Sequence, residues 1–105
     1  MKIIETPIFT RQVNEILNDD EYRLLQIALI LRPDLGKIIQ GSGGLRKIRW
    51  SGSGRGKRGG TRIIYYWIKN KETILMLLIY KKKGKDDISK DQLKILKKLV
   101  ERELQ

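Results

Sequence analysis

Lys47, Arg49 and Arg62 stand out because they are cations set inside runs that otherwise read as β-strand. Residues 45–50 (LRKIRW) alternate, so that Leu45, Lys47 and Arg49 face one way and Arg46, Ile48 and Trp50 the other. Arg62 sits near the start of a second such run, residues 61–68, and neighbouring strands could bring all three cations onto one face. A lysine offers a compact point charge and an arginine a planar fork, a combination suited to a phosphate group. The plainer role for charges in a strand is protection of an exposed sheet edge.

What is missing narrows the chemistry. The chain has no histidine and no cysteine, which removes Cys/His zinc sites, Ser-His-Asp triads and histidine-based ribonuclease chemistry. RNA can still be cleaved by attack of its own 2′-OH on the adjacent phosphorus. Arg49 and Arg62 suit stabilisation of the charge that develops there. A lysine crowded by other cations is disfavoured as the ammonium ion. That makes Lys47 the first candidate for general base, with Tyr65 or Tyr80 as the alternative. Carboxylates are expected to be missing from this basic surface, so a two-metal nuclease is not expected; no cofactor or metal is called for, and activity should survive chelation.

The charge distribution points to the same class of partner. Of 23 Lys/Arg, ten fall between Asp34 and Glu72, where no acidic residue occurs. Nearly all of the net charge of +11 therefore lies in one third of the chain, and nucleic acid is the commonest polyanion for such a surface. The glycine-rich part, residues 51–60, contains a literal G-x-G-x-x-G, but a strand follows it where a dinucleotide site needs a helix. Arg58 stands where a Walker A loop needs Ser or Thr. The reading left is a hairpin tip whose Arg55, Lys57 and Arg58 approach a nucleic-acid backbone, assisted by Arg46 and Lys81; a solvated tip with incidental charge is the bland alternative. Tyr80 ends a run beside Lys81, Lys82 and Lys83, where an aromatic ring could stack on a base. Tyr65 and Tyr66 point to opposite faces, so one can be core while the other reaches the basic face, and Tyr22 reads as core.

Residues 2–5 are β-prone. Thr6-Pro7 has the form of a helix N-cap and first helical residue, and Phe9, Val13, Ile16 and Leu17 follow at helical spacing. Asn18 with Glu21 has the layout of a capping box, predicting a second helix over residues 19–31 that Pro33 ends. Residues 45–50, 61–68 and 73–80 then read as three strands joined by short links, an antiparallel meander. Ser89 with Gln92 predicts a last helix, striped by Leu93, Leu96, Leu99 and Val100. The expected fold class is α+β: an N-terminal strand and two helices, a three-strand antiparallel meander forming a mixed sheet, and a C-terminal helix. Residues 1–105 fit one domain, with no signal peptide and no span for a membrane, which makes a cytoplasmic protein the default.

Residues 36–49 (GKIIQGSGGLRKIR) and 56–66 (GKRGGTRIIYY) resemble the RelE/HigB family of bacterial toxins, closest to its HigB-like branch. The resemblance spans essentially the whole chain, including the Leu-Leu-Ile-Tyr strand end. It implies a RelE-like fold and a metal-independent, ribosome-dependent mRNA endonuclease that enters the 30S A site, cuts within the codon and arrests translation. It also implies a cognate antitoxin, commonly a helix-turn-helix protein, through which alone the toxin meets operator DNA. Lys47 and Arg49 match the family's strand cations, Arg62 its phosphate-stabilising arginine, and Lys82 or Lys83 a second cation after the last strand, with Tyr65 and Tyr80 near the site. The chain departs from the RelE archetype in having Lys83 in place of arginine and in lacking a C-terminal tyrosine after Ile88, which leaves the base unassigned by resemblance. A gyrase-poisoning toxin of the ParE branch and a non-catalytic RNA-binding module are the competing functions.

Overall fold

The computed structural model describes residues 1–50, 60–82 and 87–104. The chain opens with strand β1 (Lys2–Glu5), then helices α1 (Pro7–Ile16) and α2 (Asp19–Leu31). Strands β2 (Lys37–Ile38), β3 (Arg46–Trp50), β4 (Thr61–Ile68) and β5 (Thr73–Lys81) follow, and helix α3 (Lys90–Leu104) closes the described chain. The α+β class, the two N-terminal helices, the meander and the last helix are all as expected. Strand β2 is an addition; two residues are too few to show a period.

Each helix begins where its side chains can satisfy the free backbone N–H groups. Thr6 Oγ1 accepts from Phe9 N at 3.1 Å, and Pro7 stands in the first turn. Asn18 and Glu21 close a reciprocal capping box at 2.8 and 2.9 Å, with Asp19, Asp20 and Glu21 complementing the helix dipole. Ser89 and Gln92 do the same ahead of α3, at 2.9 and 3.1 Å.

The five strands form one sheet in the order β1-β5-β4-β3-β2, with β1 parallel to β5 and every other pair antiparallel. Strands β4 and β5 lie inside it and are apolar on both faces, as a doubly covered strand must be. The faces carry separate cores. Phe9, Val13, Leu25 and Leu29 of α1 and α2 pack with Ile48, Ile63, Tyr65, Ile74, Met76 and Ile79 on one side. Leu96 and Val100 of α3 pack with Leu45, Ile64, Leu75 and Leu77 on the other.

One irregularity sets which residues of β5 look which way. Ile64 pairs with Leu78 but Tyr65 pairs with Met76, so Leu77 is an extra residue, a β-bulge. Without it, Tyr80 would share a face with Ile74 and Met76. With it, Tyr80 turns to the α3 side. The bulge is held from outside the sheet: Thr6 Oγ1 donates to Leu77 O at 2.9 Å, and Thr6 N donates to Met76 O at 3.0 Å. The threonine that caps α1 therefore also fixes the register of β5. Among the described residues no helix is long and apolar enough to cross a membrane.

Candidate active site

The alternation of β3 places Lys47 and Arg49 on the α3 face, where Arg49 lies directly opposite Arg62 on β4. Arg62 in turn lies opposite Tyr80 on β5. Arg49, Arg62 and Tyr80 thus form a row across three strands, with Lys47 two pairs along on the same face, opposite Ile64. Like charges directly opposed across a sheet are destabilising, and Arg62 is also buried, at 9% exposure. Arg62 Nη1 donates to Thr61 O at 3.4 Å, and the two guanidinium groups together make this part of the face strongly positive. Lys82, whose N–H donates to Gly60 O at 2.7 Å, follows Tyr80 two residues further along the chain. Lys47, Arg49, Arg62 and Lys82 line a common open cavity of about 640 Å³, whose lining also includes Leu35, Ile38 and Ile48.

The cavity also contains Asp87, and this corrects the expectation of a surface without carboxylates. Asp87 Oδ2 accepts from Lys47 Nζ at 2.8 Å, while Oδ1 accepts from Tyr80 OH and from Ile88 N at 2.9 Å. Burial by itself would raise the Asp87 pKa. The bonds from Lys47, Tyr80 and the Ile88 N–H, with the Lys47 charge, overcome it and hold the carboxyl well below the usual carboxylate range. Tyr80 moves the opposite way: burial, then the bond to Asp87 and its negative charge, push the phenol well above its ordinary value, although Arg62 pulls back. At neutral pH the pair is a carboxylate and a phenol that keeps its proton.

Tyr65 is not brought to this group, although it reads in sequence as a site tyrosine. It lies on the α1/α2 face, fully buried, where its hydroxyl donates to Pro33 O at 2.8 Å and accepts from Gly36 N at 2.7 Å. It ties the α2–β2 connection to the sheet. Arg46 also faces that side, and its Nη1 donates to Gly36 O at 2.8 Å, which makes it a clasp on the same connection. Lys81 is exposed at the end of β5, on the face opposite Tyr80. Arg55, Lys57, Arg58 and Lys83 lie outside the described residues. Asp87 escapes a reading of the sequence because it is 40 positions from Lys47. The signal for it is an aspartate two residues ahead of the Ser89 cap, a cap that anchors it beside the strand end.

A family profile described as "RelE toxin of RelE / RelB toxin-antitoxin system" matches residues 1–105. Among solved structures, the isolated E. coli RelE toxin is similar with a TM-score of 0.61 at 13% identity, covering 93% of this chain and 97% of RelE. An arginine-to-alanine mutant of E. coli RelE in the free state gives a TM-score of 0.58 at 13% identity, covering 76% of this chain and 81% of that one. The intact E. coli RelBE toxin-antitoxin complex gives 0.59 at 14% identity, covering 79% and 98%. At such identity the structures speak for the fold, and the profile match across the full length speaks for descent: the chain belongs to the RelE toxin family.

Proposed function

We propose that this protein is a ribosome-dependent mRNA endonuclease, the toxin of a type II toxin–antitoxin pair. The observation that carries the reading is the assembly, in one cavity, of Lys47, Arg49, Arg62 and Lys82 with Tyr80 and Asp87 at its edge. In this mechanism the 2′-oxygen attacks the adjacent phosphorus, the P–O5′ bond breaks, and a 2′,3′-cyclic phosphate and a 5′-hydroxyl result. Arg49 and Arg62 bind the non-bridging oxygens and offset the charge that grows on them. The phosphate competes with Asp87 for Lys47. Once Lys47 turns to the phosphate, Asp87 loses a donor and becomes a better acceptor for the 2′-OH proton. Tyr80, which keeps its proton at neutral pH, donates toward the departing 5′-oxygen. Lys47 then acts as a cation, and the proton acceptor passes from Lys47, the first candidate on sequence, to Asp87.

The site supplies charge and a proton path but little that would orient a flexible RNA. The ribosomal A site would bring the mRNA into line, an effect of several kcal/mol. The similarity to the RelBE complex supports a cognate antitoxin as the controlling partner, with a helix-turn-helix protein the form implied by the HigB-like sequence features.

Primer extension on mRNA from cells expressing the protein tests this directly. Codon-associated cuts are expected with the wild type. Arg62→Ala should reduce them about 10²–10³-fold while ribosome binding persists. An absence of cuts together with an induced DNA-damage response would replace the endonuclease with a gyrase poison.

A further inference from the structure

A second cavity adjoins the basic one and has a different lining. Strand β1 ends opposite Met76, so α1 runs past the remaining edge of β5, and the start of α3 closes the gap from the other side. The space enclosed is about 350 Å³, at the small end of the range for small-ligand sites. Ile8, Leu78 and Ile88 give it apolar walls, Gln12 and Gln92 bring amides from α1 and α3, and Lys81 also lines it. Tyr80 and Asp87 stand at its border; Asp87 lines both cavities and Tyr80 is bonded to it.

The two amides are not equivalent. Gln92 Oε1 is committed to the capping bond from Ser89 N, at 2.9 Å, which leaves the Gln92 amino group as a donor. Gln12 Oε1 is a buried acceptor with no hydrogen-bond partner among the described residues, an arrangement that costs stability until a donor meets it. Its described cation, Lys81, is exposed, and apolar walls with one amide donor and one amide acceptor suit a phosphate less well than the neighbouring cavity of Lys47, Arg49, Arg62 and Lys82 does. They suit a flat heterocycle whose edge carries both kinds of group, and such amides are the side chains that read base edges.

We infer that the cavity between α1, the end of β5 and the start of α3 is a nucleobase subsite, in which Gln12 and Gln92 read the edge of a base next to the cleaved phosphodiester. The inference rests on the endonuclease reading for its place beside the phosphate, since a nucleotide bound across the Tyr80–Asp87 border puts its phosphate among the cations and its base between Ile8, Leu78 and Ile88.

Two measurements test it. In the first, methyl NMR follows Ile8 and Ile88 of the whole protein during titration with inorganic phosphate and with each of the four nucleoside 3′-monophosphates. Phosphate alone should leave these methyls unmoved, and at least one nucleotide should shift them saturably. If none of the four does, the subsite does not exist. In the second, cleavage sites on translating ribosomes are mapped for the wild type, Gln92→Glu and Gln12→Leu. Gln92→Glu retains the acceptor that caps α3 and exchanges the donor for a second, negatively charged acceptor, so the cap is spared while the hydrogen-bonding pattern offered to a base is inverted. Both variants should alter base preference at a single position beside the cut by about tenfold, the scale of one lost hydrogen bond, a change that a uniform loss of activity does not produce. Unchanged preference at every position overturns the inference, and unchanged preference with weakened antitoxin binding assigns the cavity to the antitoxin instead. If the wild type makes no cuts, the endonuclease reading fails, and the NMR titration still decides whether the cavity takes a base.

Discussion

Asp87 gathers three donors on one carboxylate, from Lys47, Tyr80 and the Ile88 backbone, and this sets the proton inventory of the site. Its lowered pKa stabilises the folded chain at every pH above the ordinary carboxylate value of about 4, and that stabilisation fades as pH falls through the lowered one. Asp87→Asn should therefore be less stable than wild type near neutrality, with the gap closing as acid is added; a gap that stays constant in acid would show that the charge contributes nothing. Tyr80 has the opposite linkage. A phenol raised in the folded state contributes stability that is complete below about pH 10 and lost as pH climbs through the raised value. The same substitution removes the negative charge and leaves only a neutral amide oxygen to accept from Tyr80, so one tyrosine should move back toward ordinary titration when tyrosinate absorbance is followed against pH. An unchanged titration curve would separate Tyr80 from Asp87 in solution.

At the scale of elements, the candidate active face depends on two connections rather than on the strands alone. Thr6 caps α1 and also pins the bulge at Leu77, and the bulge is what turns Tyr80 toward Arg62. Thr6→Val keeps the shape and removes both bonds, and should cost about 2 kcal/mol in urea denaturation, whereas Thr6→Ser keeps the hydroxyl and should recover most of it. A Cβ on Gly36 would come within 2.8 Å of the Tyr65 ring and 3.1 Å of the Lys47 carbonyl. Gly36→Ala should therefore cost about 1–3 kcal/mol and disturb the strand that carries Lys47. A fully stable Gly36→Ala would mean that the Tyr65 clasp has slack. These dependencies also show what could be read in advance. Thr6-Pro7, Asn18 with Glu21 and Ser89 with Gln92 announce helix starts through local chemistry, and the alternation of residues 45–50 shows the Lys47/Arg49 face. The bulge leaves no such mark, because residues 73–80 are nearly all apolar and an inserted residue breaks no visible period. Whether Tyr80 joined the cations depended on that bulge, whereas Tyr65, three residues from Arg62 on the same strand, faces away from it by alternation alone; the approach of Asp87 to Lys47 depended on where α3 docks.

Across the whole molecule, the proposed endonuclease divides the work of holding RNA between charge and shape. The net charge of +11 is concentrated between Asp34 and Glu72, and the described part of that segment puts Lys47, Arg49 and Arg62 on the face that α3 leaves open. Affinity for single-stranded RNA should then come mainly from released counterions and fall with salt, by about 0.7 in log–log slope for each phosphate neutralised. Arg49 is exposed and Lys82 half-buried, so each can be removed without opening a core. Arg49→Ala and Lys82→Ala should each lower the slope by about 0.7 and weaken all sequences alike, as measured by fluorescence anisotropy across a salt series. The cavity lined by Gln12 and Gln92 should act in the opposite sense, with Gln12→Leu leaving the slope unchanged because no charge is lost. A slope that is the same with and without Arg49 and Lys82 would place the RNA away from the strand cations and, with it, move the proposed chemistry off this face of the sheet.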